Sequence, residues 1–413
     1  MHILFIHQNF SGQYRQLVPA LQKQGHHLLA LSQRKEKHIL GVRNICYSQR
    51  NNTPDLHPWL LNVESPMVRA EGVAHYCEQL KQQGYIPDVI YVHTGWGESL
   101  FLRDVWSQAR IIGFFEYYYH AQGVDSNFDP EFPIVEKNLA FKLRMRNTHL
   151  LSSLESCDMG ISPTQFQHSL FPKVFRNKIH TIHDGIQTQI ARPNPDAWIH
   201  LNRADCTFKV SDPLITFANR NLEPMRGYHR FMRALPEILR RNPRAHVVII
   251  GHDSCSYGSK SKGLSWKEKY LQEVKSELDL SRVHFVGKVA YEVFIKLLQV
   301  SAVHVYLTYP FVLSWSLLEA MSIGCKIVAS RTAPVQEVIE DKKQGLLVDF
   351  FSKSELVDAV SHILAQPSAF TAMGQAARQR VVQQYDFEKV CLPQQLGLIQ
   401  QEKSAVSSAI ISV

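Results

Sequence analysis

Short apolar runs alternate along this chain with stretches whose apolar positions recur every three or four residues. Residues 3–6 are apolar and Gly12 follows; Tyr14, Leu17, Val18 and Leu21 then fall at helical spacing before Gly25 and a second apolar run at 28–31. Strand, glycine-bearing loop, helix, glycine, strand predicts a βαβ unit of a parallel sheet. Further runs predict strands at 88–92, 110–115, 159–161 and 179–182. A second series predicts strands at 214–217, 246–250, 283–286, 303–307, 327–329 and 345–348. Between them, helical spacing covers 227–240, 267–278, 291–300, 317–323 and 354–364.

The pattern therefore reads as α/β architecture built twice, as two doubly wound, Rossmann-like domains. A length of 413 residues is too much for one ordinary core and suits two. Residues 192–212 are polar, carry Pro193 and Pro195 and lose periodicity, so the boundary is expected there. The division is a first domain over 1–195, a linker over 196–212 and a second domain over 213–385. A helix from 386 onward crosses back, and a frayed tail covers 402–413. Ligands of such sheets sit beyond the carboxyl ends of the strands, and two facing domains would offer a cleft.

Composition narrows the class. A 45% hydrophobic, 20% charged chain is globular. The net charge of +8 favours anionic partners such as a nucleotide diphosphate, an acidic glycan or a membrane surface, and is too evenly spread to argue for nucleic acid. No run of 18 apolar residues predicts a transmembrane helix, and the start Met1-His2-Ile3-Leu4 reads as a buried strand and not as a leader. Seven scattered cysteines and unpatterned histidines fit reduced thiols in a cytoplasmic setting, with neither a disulfide framework nor a metal site.

The stretch from Tyr309 through Phe311, Ser314-Trp315-Ser316-Leu317-Leu318-Glu319-Ala320-Met321 to Gly324 resembles the donor-site signature of family 4 glycosyltransferases. Val328-Ala329-Ser330 and Pro334-Val335-Gln336-Glu337 continue the match. His7-Gln8-Asn9-Phe10-Ser11-Gly12-Gln13-Tyr14 and Phe217-Ala218-Asn219-Arg220 with Arg226-Gly227 correspond in the family's order. The resemblance covers nearly the whole chain. It implies the GT-B fold and a metal-independent, retaining transfer of sugar from a UDP- or GDP-sugar to a hydroxyl of a glycan or lipid-linked acceptor. The nucleotide sugar is then a substrate, and no cofactor is implied. A nucleotide-sugar epimerase of the same fold and a non-catalytic glycan- or membrane-binding relative are the alternatives.

The resemblance gives Glu319 the ribose hydroxyls, and a fixed carboxylate suits two vicinal donors. Ser316-Leu317-Leu318-Glu319 is equally a capping-box pattern, in which Glu319 would close its own helix. Arg220 and Arg226 match the family's two diphosphate cations, with arginine in the lysine position at 226. Ser314, Trp315 and Ser316 open a helix whose amides point at donor oxygens. Gly12 in the first βα turn and Gly251 at a strand end admit close backbone approach, and the resemblance implies that Lys288 flanks the base. The family's first glutamate falls on Phe311, which cannot accept from a sugar hydroxyl and reads as packing.

On the acceptor side, Glu116 ends the 110–115 strand and His120 follows one short turn later. Each is a candidate for orienting or deprotonating the acceptor hydroxyl. The basic tract Lys137, Lys142, Arg144 and Arg146, interleaved with Leu139, Phe141 and Leu143, reads first as a solvated helix face. Peripheral contact with an anionic membrane through 137–146 is the second reading.

Overall fold

The computed structural model describes residues 1–34, 39–202 and 204–400. The chain divides into two compact units. The first comprises Met1–Tyr119, Lys137–Gly185 and the chain from Glu388 onward, and the second His120–Glu136 and Ile186–Phe387.

The first unit is a seven-stranded sheet of β1 (His2–Ile6), β2 (His27–Ser32), β3 (Arg43–Cys46), β4 (Val89–His93), β5 (Arg110–Phe114), β6 (Met159–Ser162) and β7 (Ile179–Thr181). Its order is β3-β2-β1-β4-β5-β6-β7 and every pairing is parallel. Strands buried on both faces read as unbroken apolar runs, and period two still sorts their side chains. Leu4, Ile6, Ile90, Val92 and Ile111 enter one core; Ile3, Phe5, Val89, Tyr91 and Ile112 enter the other. The helix Leu392–Gln400 covers this second face with Leu398 and Ile399. Arg110 Nη1 donates to the carbonyls of both, at 3.1 and 2.7 Å, a cation closing a helix C-terminus.

The second unit carries a hairpin of β8 (Trp198–Leu201) and β9 (Cys206–Lys209), then a six-stranded sheet. Its strands are β10 (Leu214–Asn221), β11 (His246–His252), β12 (Val283–Gly287), β13 (Val303–Tyr306), β14 (Ile327–Ser330) and β15 (Leu346–Val348). The order β12-β11-β10-β13-β14-β15 is again all parallel. In each sheet the winding reverses once, between β1 and β4 in the first and between β10 and β13 in the second. Those are the points where the connections diverge and leave a crevice.

Three expectations about the division are corrected. Residues 196–212 do not form a linker, because Ile199, Leu201 and Phe208 of the hairpin pack on Leu214, Val248 and Ile250. Alternate apolar residues along both hairpin strands outweigh the prolines before them. Residues 186–195 join the second unit, where Ile186 bridges to Asp386. Residues 120–136 also join it, through Phe128 against Tyr309, Phe350 and Phe351, and Phe132 against Trp266. The expected tail at 402–413 lies outside the described residues.

Candidate functional site

In the second unit the predicted donor residues gather at the carboxyl ends of β10 to β13. Arg220 is exposed near the end of β10, Gly251 is the penultimate residue of β11, and Lys288 is exposed directly after β12. Ser314 follows the loop that leaves β13, and the helix Trp315–Ile323 starts there. Gly227 adopts φ 67° and begins the helix Tyr228–Arg241; a side chain there would meet Leu307 Cβ at 2.2 Å.

Arg226, one residue earlier, is only 6% exposed. Its Nη1 donates to Thr308 Oγ1 and to the Val312 carbonyl, each at 2.9 Å. Its Cζ lies 5.2 Å from the Tyr257 ring centre and 5.8 Å from that of Phe311, whose rings meet edge to face at 4.9 Å. The buried Glu223 carboxylate accepts the backbone N–H groups of Ser256 and Tyr257 at 2.9 Å each and so fixes that aromatic wall. Burial pushes the Glu223 carboxyl above the usual range. Phe311 is therefore packing, as read from its chemistry, and it packs on the arginine beside the predicted diphosphate position.

The loop leaving β13 is tied down further. Thr308 N–H donates to Ser330 Oγ at 3.0 Å, Tyr309 N–H to the Met225 carbonyl at 3.0 Å, and Ser314 N–H to Tyr306 Oη at 3.0 Å. The capping-box alternative for Glu319 fails, because the N-cap is Ser314, whose hydroxyl accepts from Ser316 N–H. The third helical position is then Leu317, and Glu319 lies in the fifth, 5% exposed. A carboxylate that deep is held for a reason other than capping. Gly251 lacks a side chain for packing reasons as well, since a Cβ would meet Leu222 Cδ2 at 2.7 Å and the Asn219 carbonyl at 2.9 Å.

In the first unit, Glu116 stands just past β5 and gathers residues that sequence reasoning did not single out. Gln13 Nε2 donates to Glu116 Oε1 at 3.0 Å, and His7 Nε2 lies 2.7 Å from Gln13 Oε1. His93, the last residue of β4, places Nε2 3.8 Å from Glu116 Oε2 and stacks on Trp96 at 4.1 Å. Burial, then the neighbouring His93, lowers the His7 pKa to about 3, so this imidazole is neutral. Burial pushes the Glu116 carboxyl up, but His93, His7 and Gln13 outweigh it and hold the group below the usual carboxylate range. The legible signal was a histidine immediately after each apolar run, at both strands flanking the reversal of winding. Gly12 has φ 49°, and a Cβ there would sit 2.2 Å from His7 Nε2. Its bareness makes room for the imidazole. His120 opens the His120–Glu136 segment and thus belongs to the second unit, not to the domain in which it was expected.

Among the described residues, one trio offers clustered metal-ligand atoms: Asp129, Glu131 and His229. Its carboxylates already accept from Arg230, at 2.9 Å from Asp129, and from Arg233, and such guanidinium partners compete with a cation. No described helix is long and apolar enough to cross a membrane.

Two Rossmann-like sheets, each with polar residues at its reversal point, define the GT-B class. A model described as glycosyl transferase family 4 group matches residues 24–191, and one described as glycosyl transferases group 1 matches residues 201–380. A D-inositol 3-phosphate glycosyltransferase of Corynebacterium jeikeium is 26% identical over 48% of this chain and 46% of its own. A GDP-mannose-dependent alpha-(1-6)-phosphatidylinositol monomannoside mannosyltransferase of Mycolicibacterium smegmatis is 25% identical over 47% and 49%. The chain spans about half the length of these curated relatives. A sucrose-phosphate synthase structure from Thermosynechococcus elongatus shares the fold, with a TM-score of 0.73 at 19% identity over 97% of this chain and 98% of that one. The chain belongs to the family 4 glycosyltransferases of the GT-B fold.

Proposed function

We propose that the protein transfers a sugar from a nucleotide-sugar donor to a hydroxyl acceptor. The observation that carries this reading is the convergence of Arg220, Arg226, Lys288 and the helix start at Ser314 on the carboxyl ends of β10 to β13. Departure of a nucleoside diphosphate develops negative charge, and fixed guanidinium groups with a helix N-terminus are suited to neutralise it. Glu319 takes the ribose hydroxyls, and Ser316 and Trp315 lie beside it on the same helix. Glu116 is the acceptor-side partner of the incoming hydroxyl. Retention of anomeric configuration follows the family resemblance and is checked by NMR of the first-formed product. Transfer is expected to persist with a chelator present.

The GDP-mannose dependence of one relative supports GDP as a donor base, and UDP is the other candidate. A glycan or lipid-linked alcohol is the proposed acceptor. Phe141, 57% exposed on the basic helix Leu139–Arg146, supports peripheral contact with an anionic membrane surface.

The test is thermal shift with UDP, GDP and ADP and their sugars. A nucleotide at about a hundred times its Kd stabilises by about 2.7 kcal/mol. Glu319→Ala and Arg220→Ala should abolish the shift without altering the fold. If no nucleotide moves the midpoint of the wild-type protein, the reading is wrong.

A further inference from the structure

The hydrogen bonds around Glu116 all run in one direction. The Asn9 backbone N–H donates to His7 Nδ1 at 2.9 Å, which leaves the proton of that neutral ring on Nε2. Nε2–H then donates to Gln13 Oε1 at 2.7 Å, and Gln13 Nε2 donates to Glu116 Oε1 at 3.0 Å. On the other side, Gly95 N–H donates to His93 Nδ1 at 3.1 Å, so His93 also presents Nε2–H, aimed at Glu116 Oε2 from 3.8 Å. Two backbone amides thus set two imidazole tautomers: His7 gives its proton to the Gln13 carbonyl, whose amide in turn donates to Glu116, and His93 presents its own 3.8 Å from the same carboxylate.

Glutamine is the side chain that completes the chain. Its amide accepts at one end and donates at the other; a glutamate would face Glu116 with a second carboxylate, and a methionine would do neither. The backbone of Glu116 is fixed as well, its carbonyl accepting from Gln167 Nε2 at 2.6 Å. Glu116 retains about 30% side-chain exposure, so some of its lone pairs face outward.

We propose that Gln13, backed by His7, is a positioning residue that holds Glu116 as a pure hydrogen-bond acceptor, so that the group it receives is a neutral alcohol and not a phosphate or carboxylate. This rests on the transferase reading for the identity of the reaction, but the relay itself does not. The titratable groups facing Glu116 are His7 after β1 and His93 at the end of β4. Beyond His93 lies Glu98, whose carboxylate accepts from Tyr47 Oη at 2.9 Å. The bare Gly12 backbone supports the same assignment, because any side chain there would expel the His7 ring.

The experiment uses the full chain with carbon-13-labelled glutamate carboxyls, the Glu116 resonance being assigned by Glu116→Gln. Wild-type Glu116 should titrate below the ordinary carboxylate range, and Gln13→Met should move it upward, since the ionised form loses a donor. The parallel readout is nucleotide release from UDP-glucose and GDP-mannose in water, where water stands in for the alcohol. Release should fall about tenfold to a hundredfold in Gln13→Met, as expected for a mispositioned reacting group. Should Gln13→Met fail to fold, Gln13→Asn, which is one carbon too short to bridge, gives the same readings. An unmoved Glu116 titration overturns the relay, and a moved titration with unchanged release overturns the positioning role. If wild-type protein releases nucleotide from neither sugar while the titration moves, the relay stands and the transferase reading falls.

Discussion

Arg226→Lys is the most direct probe of the proposed donor site. The guanidinium makes two charge-assisted hydrogen bonds from one nitrogen and lies within reach of both aromatic rings at 5.2 and 5.8 Å. A lysine ammonium carries no planar face and reaches one of the two oxygens at best. One lost charged hydrogen bond costs about 1.5–3 kcal/mol and weaker ring contact about 0.5–1 kcal/mol, or about 2–4 kcal/mol together. At roughly 2–4 °C per kcal/mol for a unit of this size, the second unit should melt about 4–16 °C lower. Differential scanning calorimetry of the apoprotein reads that change. Because Thr308 and Val312 belong to the loop leading to Ser314, nucleotide affinity should weaken by at least about tenfold, measured by titration calorimetry. An unchanged melting point would show that the aromatic wall and the Ser330 contact hold the loop without the guanidinium.

Gly12→Ala puts a methyl 2.2 Å from His7 Nε2 on a left-handed backbone. It should cost about 1–2 kcal/mol in backbone strain and about 1 kcal/mol in the lost His7–Gln13 bond, and a thermal melt unchanged within a degree would refute this. Gly374→Ala would bring a Cβ to 2.3 Å from the Gly324 carbonyl, where the helix Thr371–Gln384 crosses the end of Trp315–Ile323. Urea unfolding should show a loss of more than about 1 kcal/mol. Asp129 is 1% exposed; burial opposes its charge, but contacts with His229, the Glu131 amide and Arg230 outweigh it and bring its pKa to about 2 from 3.8. The folded carboxyl binds a proton less tightly than the unfolded one. Its contribution of about 2 kcal/mol is complete above pH 4 and is lost as pH falls through 2, and the acid-unfolding curve of Asp129→Asn should lack that segment.

Parallel strands were readable because both their faces are buried, so each appears as an uninterrupted apolar run that glycine or polar residues close. Of the proposed donor residues, Gly251 and Lys288 stand one or two positions past such a run, whereas Arg220, Arg226 and Glu319 were legible only through the family resemblance. Residues 196–212 misled because a two-stranded hairpin buries only one side of each strand, and Pro193 and Pro195 overshadowed the alternation of Ile199, Leu201 and Phe208. β3 was not anticipated, since Arg43–Cys46 lies at the sheet edge with a half-buried, mixed pattern. Glu116 was found from its place after β5, whereas His7 and His93 were passed over. A histidine at a strand end looks the same in sequence whether it fills space or directs a proton, and only the Asn9 and Gly95 amides separate the two cases.

The placement of residues 120–136 bears on how such a protein can be taken apart or recombined. The polypeptide passes from one unit to the other four times, so no single cut yields two intact halves. A fragment beginning at Ile186 would lack Asp129, stranding the enclosed His229 and Arg230 without their anion, and would strip Phe128 from Tyr309 and Phe350. Grafting the carboxyl-terminal half alone between relatives would therefore deliver an unsealed graft. The seventeen or so residues upstream have to travel with it.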